Sequence, residues 1–473
     1  MLPRKRTILS GWGRFPKASC ITYRPEKQRE IAQIYSEHPN TLITRGQGRS
    51  YGDASLNTNG VILTERLDRF LKFDTKKGVL TAQAGVTLAE LLQVTVPKGW
   101  LPPVIPGTKQ VSLGGCVACN VHGKNQYRTG EFAACVQQIK LRLPGGDTVL
   151  CGPETHADLF WATAGGMGMT GSIEEVALQL RPIASASVKT VTQRVENLEA
   201  MVNLFRTYAE AAEYMVGWID HFGKAEALGR GVFEHAVHAS AEEGAPLLDY
   251  TPKPPRLRVP EWFPSFLLNR YSMAVYNALR FRRYKLEEKE EIQPLESFFH
   301  PLDGLQEWNR LYGKKGFLQY QCLIPEGPEA INTLRHVLHL IQESGEFSYL
   351  AVLKYHRAHQ GLLSFSDHGF SLALDFPNTS LVHLLLERVD TYLTTVGGRV
   401  YLAKDARLHP KHFQKMYAET LPKWQKIVAL ADPECRLHSS MASRLGFHAE
   451  SEKAEKEPKE TTAAQENTKE VVA

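Results

Sequence analysis

Up to about residue 183 the apolar positions come in short runs broken every few residues by glycine, a pattern that predicts short strands and turns. Residues 79–84 read as a strand, Gly85 as a turn, and Thr87 as the cap of a short amphipathic helix. Residues 141–152 (LRLPGGDTVLCG) read as a β-hairpin closed at Pro144-Gly145-Gly146-Asp147. Beyond Pro182 the pattern lengthens. Helical periodicity at residues 198–214 and 330–344 is mixed with strands at 316–324 and 371–376, which predicts an α+β arrangement. A short strand at 399–403 leads into a helical stretch at 409–430. From Ala449 onward the chain is Glu, Lys, Thr and Ala without an aromatic residue, and disorder is the expectation.

Length changes this picture. A chain of 473 residues exceeds one compact core, so two domains and a tail are expected. An apolar fraction of 43% with 23% charged residues is that of a globular protein, and a net charge of +5 does not by itself drive nucleic-acid binding. Seven scattered cysteines, an odd number, argue against a disulfide framework and for a reducing compartment. The basic N-terminus has no continuous apolar stretch behind it and fails as a signal peptide. No apolar run approaches the roughly twenty residues of a membrane span. The expected location is cytoplasmic, with peripheral membrane contact left open.

Three glycine-rich loops carry candidate chemistry. In TRGQGRSYGD, residues 44–53, alternating glycines let backbone amides approach an anion and two arginines add charge, so a diphosphate fits; a plain surface turn is the alternative. In PGTKQVSLGGCVACNVHGKN, residues 106–125, small residues after Gly114 and Gly115 allow the backbone to pack under a planar ligand. Cys116 and Cys119 read as small core residues, because a zinc or redox site needs a second ligand pair or a thioredoxin-like context, and no metal is expected. His122 by itself reads as a structural histidine. The third loop, FWATAGGMGMTGSI at residues 160–173, repeats the glycine pattern.

Together these loops resemble the FAD domain of the vanillyl-alcohol-oxidase (p-cresol methylhydroxylase, PCMH-type) superfamily, and within it the decaprenylphosphoryl-β-D-ribose 2′-epimerase flavoprotein family. LSGWGR near the N-terminus shares the resemblance. So do FFHPLDGLQEWNRLYGKKGFLQYQCLIP, RVYLAKDAR and SSMASRL in the second half. The resemblance implies a discontinuous, two-lobed FAD-binding domain. Residues 1–186 and 399–447 would form it, residues 187–398 would be an inserted α+β substrate cap, and 448–473 a disordered tail.

On this resemblance Arg45, Gly46, Gln47, Gly48, Arg49, Ser50 and Tyr51 would wrap the FAD diphosphate. Pro106, Gly107, Thr108, Gly114, Gly115 and Cys119 would line the rest, with Asn120, His122, Gly123, Gly171 and Ile173; Tyr401 would close over it. Covalent relatives place a flavin-bonded histidine where this chain has Arg49, so non-covalent FAD is expected. Lys404 in YLAKDAR would be catalytic, as base, charge stabiliser or anchor; without the resemblance it reads as an exposed strand-end lysine. Tyr312 and His122 would assist. Gln319, Gln321, Lys354 and Lys124 would contact substrate, with Lys354 as a point charge for a phosphate. Trp218 would add a wall, though an aromatic there also reads as core. Ala373 stands where relatives carry a cysteine trapped by nitroaromatic inhibitors, and Asn120 where relatives have aspartate.

The implied function is oxidation of the 2′-hydroxyl of a polyprenylphosphoryl ribose to the keto sugar, with a separate short-chain NAD(P)H reductase completing epimerisation to arabinose for cell-envelope polysaccharide. Oxidation of a soluble alditol or aldonolactone is the second reading, and a flavin-binding scaffold without turnover the third. Residues 258–285 mix bulky apolar residues with Arg270, Arg280, Arg282, Arg283 and Lys285. They read either as a membrane-surface segment or as a cap helix with solvated arginines.

Overall fold

The computed structural model describes residues 2–252, 255 and 257–448. Three sheets organise them. The first has four strands in the spatial order Arg4–Ser10, Lys17–Tyr23, Val61–Leu63 and Ile43–Arg45. The second has five antiparallel strands: Phe70–Asp74, Val79–Gln83, Ser172–Gln179, Val136–Arg142 and Thr148–Cys151. The third has eight strands in the order Lys289–Pro294, Ser187–Val195, Gly231–His238, Tyr214–Ile219, Ala351–His356, Gly369–Pro377, Phe317–Pro325 and Arg399–Val400.

Local chemistry explains several elements. Thr87 caps the helix Leu88–Thr95 in a full capping box with Glu90, satisfying two backbone donors at once. The hairpin at residues 141–152 pairs Val136–Arg142 with Thr148–Cys151 through a turn in which Gly146 takes φ +101°, a conformation glycine reaches without steric cost. The helix Ala330–Glu343 buries Leu334, Val337, Leu338 and Ile341 on one stripe.

Three expectations are corrected. The helix expected at 198–214 is Leu198–Tyr208, because Ala211 and Ala212 both donate to the Tyr208 carbonyl and Tyr214 opens the strand Tyr214–Ile219. Sheet pairing of that aromatic segment overrides the helix propensity of the alanines before it. The strand expected at 399–403 ends at Val400; Lys404 N–H then donates to the Tyr401 carbonyl in a tight turn. The stretch at 409–430 is two helices, Pro410–Met416 and Leu421–Ala431, each with proline in its first turn, where the missing N–H costs no helical bond. The tail expectation for 448–473 lies, His448 apart, outside the described residues.

The last helices return to the first strands. Leu42 bridges to Leu437, Trp424 Nε1 donates to the Ala162 carbonyl at 2.9 Å, and Trp424, Met441 and Phe447 share one core with Tyr35 and Ile43. Arg444 fastens this end: its guanidinium makes two bonds to Asp53 (2.7 and 3.0 Å) and lies 2.9 Å from Asp405. That fork–fork contact holds the last residue of the first glycine loop and the residue after Lys404 in one place. All seven cysteines are free thiols.

Candidate active site

A cavity of about 660 Å³ lies between the glycine loops and one face of the eight-stranded sheet. That volume is within the roughly 300–1,000 Å³ usual for small-molecule and cofactor sites. Its sheet wall obeys the two-residue period of strands. Val216 and Trp218, Val352 and Lys354, Ala373 and Asp375, and Gln319 and Gln321 all face it, while the residues between them enter the core.

The opposite wall is built for an anion. The backbone N–H groups of Gly46, Gln47, Gly48, Arg49 and Ser50 donate no hydrogen bond among the described residues. Five unspent consecutive donors beside a cavity make a nest for phosphate oxygens. Gly48 has φ +63°, and a Cβ on Gly46 would collide with Ser112 Oγ, so both glycines are required by the path of the loop. Arg45 is anchored to the Ser10 carbonyl (2.7 Å) and Ser55 Oγ (2.9 Å), both neutral. Arg49 stacks on Trp12 at 4.1 Å, with its buried Nε unpartnered. Burial pulls the pKa of both guanidiniums down. Buried cations and amides facing a cavity without a bonded carboxylate fit the diphosphate of FAD.

Pro106, Gly107, Thr108, Gly115, Cys119 and His122 extend this wall, and Tyr401 closes it, its hydroxyl donating to the Cys119 carbonyl at 2.8 Å. Other expected cofactor residues do not line the cavity. A Cβ on Gly114 would press on Ala84, one on Gly123 on the Ile105 carbonyl, and one on Gly171 on the Arg142 carbonyl, so these glycines serve chain packing. Ile173 is buried in the core of the five-stranded sheet. Asn120 is turned inward: its amide donates to Glu131 at 2.6 Å and its carbonyl accepts from Ala133 N–H. Burial raises the Glu131 carboxyl to about 7. Tyr312 also stands outside the lining, packed between Phe317 and Tyr349 at 4.3 and 4.4 Å.

The reactive end is at Lys404. Its ammonium donates to Gln319 Oε1 and lies 4.3 Å above the Tyr51 ring, while Gln319 Nε2 donates to Asp375 Oδ1 at 2.6 Å. Burial lowers Lys404 to about 8, against the pull of Asp375, and burial raises Asp375 to about 6. Lys354 Nζ has no hydrogen bond or ion pair among the described residues, and burial, with Lys404 and Lys124 nearby, lowers it to about 7. Lys124 is committed elsewhere, to Glu234 at 2.8 Å and the Phe298 carbonyl at 2.9 Å. Trp218 lines the far end beneath the Arg280 guanidinium, 4.5 Å away.

A second chain of bonds holds His122. Burial, with Lys354 adding to it, keeps its imidazole neutral, and Gln321 Nε2 lies 3.0 Å from its Nε2. Gln321 also donates to Ser371, which reaches His356 at 2.7 Å, and His356 reaches Ser366 at 3.1 Å. Asp375, Ser371 and His356 escaped sequence reasoning. For Asp375 and Ser371 the signal was present: in SLALDF polar and small residues alternate with Leu372, Leu374 and Phe376 at the strand period.

Comparison with known proteins agrees with this geometry. An FAD binding domain model matches residues 19–152. Decaprenylphosphoryl-β-D-ribose oxidase of Mycolicibacterium smegmatis is 32% identical over 457 residues, covering 94% of this chain and 98% of that protein. An uncharacterized protein of Streptomyces coelicolor is 30% identical over 76% of this chain and all of its own length. L-gulonolactone oxidase of Scyliorhinus torazame is 24% identical over 42% of this chain and 44% of its own. Near-complete coverage at that identity, with an FAD-type cradle facing a polar sheet wall, settles the family: the chain belongs to the decaprenylphosphoryl-β-D-ribose oxidase family of FAD-binding oxidoreductases.

Proposed function

We propose that this enzyme oxidises the 2′-hydroxyl of a polyprenylphosphoryl-β-D-ribose to the 2′-keto sugar, the first half of epimerisation to the arabinose form. The single observation that carries the choice of substrate is Lys354, whose side chain faces the cavity with no ion-pair partner among the described residues. Beside a neutral alditol or lactone Lys354, lowered to about 7, can shed its proton, whereas a phosphoryl group pairs with the ammonium and keeps it charged. The lactone oxidase relative also matches less than half of the chain.

In this reading residues 1–186 and 399–447 form the FAD domain and 187–398 the substrate cap. FAD, held without a covalent bond because Arg49 replaces the bonding histidine of some relatives, supplies a two-electron acceptor for the hydride of the CH–OH carbon. The amides of Gly46 to Ser50 hold its diphosphate. Lys404 Nζ, lowered to about 8, takes the hydroxyl proton, since a base titrating near the working pH serves best. Gln319 fixes that ammonium and orients it through Asp375. Gln321 and neutral His122 offer the sugar hydrogen bonds, and Lys354 anchors the phosphate. A short-chain NAD(P)H-dependent reductase is the functional partner that would return the keto sugar to an alcohol.

Product analysis tests the reading. Incubation of the FAD-loaded enzyme with a polyprenylphosphoryl ribose and an electron-accepting dye yields a lipid-linked sugar two hydrogens lighter, with its carbonyl at C2′. A Lys354→Ala variant raises KM for that substrate by more than it lowers kcat. An oxidised alditol beside an untouched phosphoryl ribose would instead select the soluble-substrate reading.

A further inference from the structure

We propose that the outer face of the helix Arg270–Arg283, together with the turn that precedes it, is a docking surface for an anionic lipid bilayer. Tyr271, Val275 and Leu279 follow one another at four-residue spacing on this helix and are 82%, 60% and 63% exposed. Trp262 and Phe266 in the preceding turn are 80% and 75% exposed. Large apolar side chains left open to water in such number mark an interaction site rather than ordinary surface.

The helix has not simply missed its core. Its other face is pinned: Met273 and Phe281 are buried, Asn277 donates to Asp220 at 3.1 Å, and Asp220 is itself held by two bonds from Arg230. Arg230 and Arg194 cover the Phe281 ring at 4.6 and 5.0 Å. The apolar stripe is therefore held outward by polar contacts on the opposite side.

Charge identifies the occupant. Arg282, Arg283 and Lys285 border the end of the stripe, are exposed, and have no hydrogen-bond or ion-pair partner for their side chains among the described residues. Of the glutamates that follow, Glu288 is engaged with Tyr208, Glu290 with Lys189 and Glu291 with Lys289, which leaves exposed Glu287 as one carboxylate beside three cations. A second copy docking through the same face would bring these like charges together, at an electrostatic cost. Anionic headgroups neutralise them, and an apolar stripe with basic margins and interfacial aromatics is the pattern of a helix lying in a bilayer surface. Arg280 of the same helix, and Tyr284 just past it, line the cavity, so docking would set the cavity mouth against the lipid. That last link rests on the reading of a polyprenyl-phosphate substrate; the docking itself does not.

Co-sedimentation of the FAD-loaded full chain with vesicles of equal parts phosphatidylcholine and phosphatidylglycerol tests it, without substrate present. The expected result is binding that weakens with salt and on pure phosphatidylcholine. The Tyr271→Ser, Val275→Ser, Leu279→Ser variant and the Arg282→Gln, Arg283→Gln, Lys285→Gln variant each lose about tenfold or more in partitioning. Their FAD content, thermal midpoint and oxidation of a short-chain, water-soluble substrate match those of the parent chain. Wild-type protein that stays in the supernatant overturns the proposal, as does serine-variant binding equal to wild type, or a wild-type dimer that the serine variant converts to monomer. Absence of oxidation by every variant, wild type included, with vesicle binding intact, would count against the substrate reading alone.

Discussion

Lys404, in the turn after the strand Arg399–Val400, and Asp375, on the strand Gly369–Pro377, are joined through one side chain: Gln319 accepts from the lysine ammonium and donates to the carboxylate at 2.6 Å. The carboxylate raises the lysine pKa against the burial that lowers it. Its removal by Asp375→Asn therefore lets Lys404 lose its proton at lower pH. The acid limb of the kcat profile is expected to move to lower pH in that variant. A limb that stays where it was, or moves upward, removes Lys404 as the titrating base. Lys404→Ala should lower kcat by about 10²–10⁴-fold, the usual worth of a positioned base.

The two cavity lysines set opposing requirements on the free enzyme. Lys404 must be neutral to take a proton, so activity rises through its pKa of about 8. Lys354 must be charged to hold a phosphate, so binding falls as pH rises through its pKa of about 7. Their product predicts a bell-shaped kcat/KM with its maximum between about 7 and 8. In Lys354→Met the alkaline fall is expected to vanish, measured as kcat/KM against pH. Retention of the alkaline limb in that variant assigns it to another group.

Ala373 faces the cavity opposite Gln321 and Val352 in the sheet, and it offers no nucleophile. After turnover with a nitrobenzothiazinone, intact-protein mass is expected to be unchanged for the wild type. Ala373→Cys should gain an adduct. An adduct on the wild type would place the reactive thiol elsewhere in the cavity wall.

Arg444 compensates two buried carboxylates, Asp53 and Asp405. Burial pushes Asp405 up, but Arg444 and neighbouring donors outweigh it and hold the carboxyl below its usual value. This is a depressed acid, so its stabilising contribution is present above the unfolded carboxylate pKa and is lost as pH falls through the folded one. Arg444→Ala leaves both charges without their partner and should cost about 3–5 kcal/mol, read as a lower thermal midpoint with partial loss of FAD. An unchanged midpoint would mean that the C-terminal helix is held by its apolar contacts alone.

Parts of this site were legible in the sequence for local reasons. The first loop declared itself because Gly46 and Gly48 sit where a side chain collides or where φ is positive, and such positions leave a compositional trace. The sheet wall was half legible. Gln319, Gln321 and Lys354 stood out by resemblance, while Asp375 and Ser371 share their strand period and were passed over. Asn120 and Ile173 fall outside the cavity lining, because neighbouring residues face opposite sides of the chain and spacing does not report which side is core. The Arg444–Asp53 pair spans 391 residues and has no local signature at all. The outward stripe on Arg270–Arg283 needed the partners of Asn277 to show which face was taken.

Anaerobic mixing of the FAD-loaded enzyme with a polyprenylphosphoryl ribose tests the central claim most directly, by following the oxidised flavin absorbance. Bleaching by that substrate is the expected result, abolished or slowed by about 10² or more in Lys404→Ala, with no bleaching by simple alditols. Flavin that stays oxidised with the phosphoryl sugar while an alditol or lactone bleaches it would contradict the account.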